Sequence, residues 1–108
     1  MRVVDGEEDL LKELAGIFLA ESPQRLTQIR ESVERSDREA LRRAAHGLKG
    51  SASQIAAVGV TRASASLELI AREDRMGEAA AGLASLEAEI DRLAPLLDAC
   101  RQEPTVTS

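Results

Sequence analysis

Apolar positions along this chain recur every three or four residues, and no segment alternates apolar and polar as a half-buried strand would. Leu10, Leu11, Leu14, Ile17 and Phe18 share one face of a helix expected over residues 7–20. Ser22 then reads as an N-cap, with Pro23 at the first position of a second helix that turns Leu26, Ile29 and Val33 inward. Ser36 and Glu39 fit a capping box opening a third helix over residues 37–57, which Gly59 is expected to terminate. A fourth helix follows over residues 60–72, with Ala63, Leu67 and Ile70 inward. Asp74 reads as the cap of a long fifth helix reaching Cys100, whose Ala79, Leu83, Leu86, Ile90, Leu93 and Leu97 step by four and three as in a bundle seam. Pro95 is expected to kink that helix or end it early, because its ring crowds the carbonyl of Asp91. Short connections imply antiparallel neighbours. The fold class expected is all-α, an antiparallel four-helix bundle with a short additional N-terminal helix. It forms one domain over residues 1–108, with loose tails at 1–6 and 102–108.

Composition narrows this picture. With 44% hydrophobic residues but a single aromatic, Phe18, the core must be built from Leu, Ile, Val and Ala. No apolar run approaches the roughly 20 residues that span a membrane, and no signal peptide is visible. Cys100 is the only cysteine, which rules out an internal disulfide and suggests a reducing, cytoplasmic setting. The net charge of −5 argues against nucleic acid as a partner. Residues 30–49 are locally basic, with Arg30, Arg35, Arg38, Arg42, Arg43 and Lys49 against Glu31, Glu34, Asp37 and Glu39.

The only histidine, His46, ends that basic stretch, between Gly47 and Gly50 on one side and Ala44-Ala45 on the other. Glycine costs about 1 kcal/mol relative to alanine within a helix, so two of them here call for a reason. At about 100° per residue, the third helix has Leu41, Ala45, Leu48, Ala52 and Ile55 as its inner stripe. His46 lies roughly 160° from Leu48 on that wheel and points to solvent. Its outward neighbours include Arg42, Arg43, Lys49, Gly50, Ser53 and Ala57. The wheel thus sets an exposed imidazole beside an ammonium and a patch of bare backbone. Gly47 lies about 100° from His46, and the pattern supplies no reason for it.

A metal centre needs several ligands, and no second histidine is present. A hydrolytic triad needs a pocket and an oxyanion hole. An imidazole that accepts a phosphoryl group suits the arrangement better. Near neutral pH much of it is uncharged with a free lone pair, and phosphoryl transfer depends mainly on positioning and electrostatics.

The run His46-Gly47-Leu48-Lys49-Gly50-Ser51, preceded by Ala44-Ala45, resembles the signature of histidine-containing phosphotransfer (HPt) domains. The resemblance extends over nearly the whole chain, including Phe18-Leu19, Glu21-Ser22-Pro23 and the long last helix. It implies a phosphorelay intermediate that takes a phosphoryl group from a receiver aspartyl phosphate onto His46 Nε2 and passes it to another receiver. It further implies that Lys49 stabilises the phosphate and that Gly50 leaves room for the receiver. Glu68 matches a position where some members, notably the phosphotransfer domain of chemotaxis kinases, hold a carboxylate that bonds imidazole Nδ1. Arg42, Arg43, Ser53 and Ala57 are candidates for partner contact. Where many members carry Gly-Ala ten and eleven residues after the histidine, this chain has Ala56-Ala57.

The partners implied are response-regulator receivers and a sensor or hybrid histidine kinase. No cofactor of its own is expected, and magnesium would belong to the receiver. The chain would be a monomeric, cytoplasmic phosphocarrier and not an autonomous enzyme, having no Gly-rich loop for ATP. The alternatives are a non-catalytic helical adaptor, that is, a degenerate HPt domain, or a substrate domain cut from a larger histidine kinase.

Overall fold

The computed structural model describes residues 3–102, with side chains described from 10 to 99. Four α-helices run α1 Val3–Glu34, α2 Arg38–Gln54, α3 Val58–Arg72 and α4 Ala79–Gln102, with a single 3₁₀ turn over Met76–Glu78 before α4. Among the described residues there is no strand. Each helix packs on the next, and α4 closes back onto α1. The molecule is a rod of 52 × 21 × 18 Å. Antiparallel order shows in the side chains. Arg30, late in α1, meets Glu87, early in α4, at 2.7 Å. Arg38, at the start of α2, donates to the carbonyls of Ala71 and Arg72 at the end of α3, at 2.7 and 3.2 Å.

The all-α bundle holds as expected, but the additional N-terminal helix is not a separate element. The helix runs through Pro23 without a break. Ser22 does not cap; it is buried on the inner face. Ala15, Phe18, Ser22, Leu26, Ile29 and Ser32 form one unbroken stripe of buried positions, spaced by three and four. Burial on both sides of the proline therefore outweighs its cost of about 3 kcal/mol.

The helix ends also differ from expectation, for one shared reason. Ser36, Ala56 and Asp74 all adopt left-handed φ, at 53°, 57° and 57°. Each closes a Schellman motif, in which the next amide bonds back five residues. The three closures are Asp37 to Ser32, Ala57 to Ala52 and Arg75 to Ile70, at 2.8, 2.9 and 2.9 Å. Ser36 is thus occupied in ending α1, and Asp37 caps α2 by accepting from the Ala40 amide at 3.1 Å. The Ser36–Glu39 capping box does not form. Asp74 closes the turn after α3 and does not cap α4, and Ala56 closes the turn after α2, leaving Gly59 in the first turn of α3. Helix α4 continues past Pro95 to Gln102. The tails expected at 1–6 and 102–108 fall partly outside the described residues; within them, Val3–Gly6 belong to α1 and Gln102 to α4. The side chain of Cys100 is also outside the described residues.

The core is aliphatic. Ile29, Leu41, Leu48, Leu67, Leu86 and Val60 are wholly enclosed, with Phe18 beside them. Ala44, Ala45 and Ala52 on α2, and Ala71 on α3, keep the side chains between those helices short. Leu41, Ala45, Leu48 and Ala52 form the buried stripe of α2, which fixes the opposite face of that helix toward solvent.

Candidate functional site

His46 stands at mid-length on the outer face of α2, with 64% of its side chain exposed. The neighbouring face of α3 presents Glu68, whose side chain is only 6% exposed. A buried carboxylate needs partners that satisfy its charge, and three side chains converge on this one. His46 Nδ1 lies 3.0 Å from Oε2, Lys49 Nζ lies 2.7 Å from Oε1, and Arg72 Nη2 lies 3.6 Å from Oε2. These side chains, with Ala65 and Leu69, line an open hollow of about 280 Å³.

The charge state follows from these contacts. The Lys49 ammonium hydrogen-bonds the Glu68 carboxylate and holds its pKa below the ordinary 4.5, with His46 acting the same way and burial opposing both. An ionised carboxylate only accepts hydrogen bonds, so Nδ1 donates. That fixes a proton on Nδ1, and in the neutral ring the lone pair then lies on Nε2. One carboxylate thus joins the imidazole and the Lys49 ammonium on the exposed face of the bundle.

The two glycines next to His46 have separate reasons. A β-carbon built at Gly50 meets nothing within 4 Å, so no neighbour in the chain requires glycine there. A β-carbon at Gly47 collides with the guanidinium of Arg25, which reaches across from α1. Gly47 thus makes room for an internal neighbour, a reason the helical wheel alone does not contain.

The outward positions sort as follows. Arg42 is held by Glu39 at 2.5 and 3.3 Å. Arg43 is exposed, 3.9 Å from the same carboxylate. Ser53 is exposed at the far end of the His46 face. Ala57 does not belong to this face: α2 ends before it, and it is buried in the core as the residue preceding α3. Its expected partner contact does not hold, because the wheel that turned it outward assumed a helix running to residue 57, whereas α2 stops at Gln54. Arg72 escaped the sequence reading, although its position four residues after Glu68 places it one turn along the same face.

Among the described residues no three His, Cys, Asp or Glu side chains gather as a metal site. No helix among them is long and apolar enough to cross a membrane.

The comparisons with curated proteins and with solved structures return no match. The family model of the Hpt domain matches residues 13–95, which takes in most of α1, all of α2 and α3, and α4 as far as Pro95. The chain therefore belongs to the Hpt domain family, whose members carry phosphoryl groups in phosphorelays and interact with receiver domains and kinases.

Proposed function

We propose that this chain carries the phosphoryl group on His46 Nε2, taking it from the aspartyl phosphate of one receiver and giving it to another. The observation that carries the proposal is the contact between His46 Nδ1 and the buried Glu68 carboxylate, 3.0 Å, on an otherwise open helix face. In the transfer, the Nε2 lone pair attacks phosphorus and the acyl O–P bond breaks. The aspartate leaves with the bonding electrons as a carboxylate. The imidazole keeps its Nδ1 proton against Glu68, so the phosphorylated ring is an imidazolium, a good leaving group for the onward step. Lys49, held on the same carboxylate as the imidazole, is the cation that meets the incoming oxygens. Gly50, one turn beyond His46, leaves the approach clear.

The receiver supplies the acceptor aspartate and the magnesium, and this chain needs no cofactor of its own. Arg42 and Arg43 at one end and Ser53 at the other lie on the face a receiver would cover. The chain acts as a monomer in the cytoplasm.

Mixing the protein with phosphorylated receivers tests this. Wild type acquires phosphate that is labile in acid and stable in alkali, and His46→Gln does not. Absence of label with several receivers, or equal label on His46→Gln, defeats the reading.

A further inference from the structure

We infer that Arg72 is a second cation of the phosphoryl site: it takes over Glu68 when the phosphoryl group draws Lys49 away. The inference rests on His46 being the phosphorylated residue.

In the resting site Lys49 is fully engaged, with Nζ 2.7 Å from Glu68 Oε1. Arg72 is not. Its Nη2 is 3.6 Å from Oε2, beyond hydrogen-bond length, and its side chain is 61% exposed. An exposed ion pair of that geometry contributes little to stability, yet it lines the same hollow as His46, Lys49 and Glu68.

Charge counting supplies a role. With the imidazole in the neutral form that can attack phosphorus, one carboxylate faces two cations, so the site holds one positive charge in excess. Phosphorylation makes the ring cationic and adds about two negative charges. The charges of ring, phosphoryl group, Glu68, Lys49 and Arg72 then cancel. Without Arg72 a negative charge remains, in a site where a buried carboxylate already stands beside a dianion.

Two other arginines of α2 are engaged elsewhere. Arg42, whose field also reaches Glu68, is tied to Glu39. Arg38 is committed to the carbonyls that end α3. Lys49 alone would have to serve both the carboxylate and the phosphoryl oxygens.

Phosphoramidate, a small donor from which Nε2 displaces ammonia, loads the intact protein without any receiver. Loss of phosphohistidine is then followed by phosphorus NMR across pH. Removing a nearby cation raises the pKa values of the ring and the phosphoryl group, and protonation makes the P–N bond labile. Arg72→Gln therefore loses its phosphoryl group several-fold faster near neutral pH, with the profile moved upward by roughly half a pH unit. Arg72→Lys restores the wild-type profile, and Arg62→Gln, elsewhere on α3, leaves it unmoved. A profile for Arg72→Gln that coincides with wild type overturns the role of Arg72 while leaving His46 phosphorylation standing. Failure of wild type to show phosphohistidine at His46 removes the proposed function itself, and this inference with it.

Discussion

Lys49 Nζ lies 2.7 Å from Glu68 Oε1, so the ammonium nearest His46 is already paired before any phosphoryl group arrives. The pairing joins α2 to α3 directly at the site and holds the carboxylate ionised. One buried side chain therefore touches both the imidazole and the ammonium.

Glu68→Gln separates charge from shape. The ionised Glu68 is stabilised in the folded state, so its folded pKa lies below the ordinary 4.5. That contribution is fully present above the unfolded pKa and is lost as pH falls through the folded value. Both cationic partners are partly exposed, so the loss on substitution is about 1–2 kcal/mol at pH 7. Urea unfolding at a series of pH values reads it: the gap between wild type and Glu68→Gln narrows as pH drops below about 4.5. Nitrogen NMR of His46 at neutral pH shows the Nδ1–H tautomer losing its dominance in the variant. A constant stability gap and an unchanged tautomer would remove Glu68 from the site.

Gly50→Gln tests the open approach. Beyond the adjacent residues and its own helix backbone, none of the described residues lies within 4 Å of a β-carbon at Gly50, so the substitution meets no clash with them. It replaces the helix-breaking tendency of glycine with a good helix former, raising stability by about 0.5–1 kcal/mol. Transfer from a receiver falls, because the new side chain stands one turn from His46 on the docking face. Thermal melts and phosphotransfer rates measured on the same sample check both halves. A slower transfer with lower stability would point to a packing role for Gly50 instead.

The inward stripes of α2, α3 and α4, and the outward turn of His46 with Lys49 and Gly50, were legible in the sequence because burial follows helical period. What escaped depends on competition between groups. Ser22-Pro23 resembles a helix start, but the buried stripe from Ala15 to Ser32 continues through it, and burial prevails. Ser36 resembles a cap, but it is already used to end α1. Arg72 and the Arg25–Gly47 contact concern where long side chains come to rest across helices, which spacing along one helix does not encode. Glu68 was reached through family resemblance, and its burial could be read only from the packed bundle.

Ala56 is the exposed residue that closes the turn after α2, and its φ of 57° lies where side chains with a β-carbon are disfavoured. The left-handed conformation costs such a residue roughly 1–2 kcal/mol. Glycine removes that strain but has more freedom to lose on folding. Ala56→Gly accordingly stabilises the protein by a net of about 0.5–1 kcal/mol. Ala56→Val destabilises it, since a β-branched side chain tolerates this region worse. Chemical denaturation of the pair gives opposite shifts in midpoint. Equal shifts would mean that α2 ends in some other way in solution.

Gly47 and Arg25 form a pair that a double-mutant cycle resolves. Alanine at Gly47 gains about 1 kcal/mol of helix propensity, but its methyl group occupies the space of the Arg25 guanidinium. The Arg25 Nε is enclosed without a hydrogen-bond partner among the described residues, so displacing the group also changes a buried polar atom. The tip of an arginine side chain can move, which keeps the penalty comparable to the gain. Gly47→Ala is therefore near neutral in the wild-type background. In an Arg25→Ala background nothing obstructs the methyl group, and the same substitution stabilises by about 1 kcal/mol. The coupling energy is the difference, about 0.5–1 kcal/mol, and denaturant unfolding of the four proteins measures it. Additive effects would show that Arg25 does not rest on Gly47, and the glycine would again lack a reason.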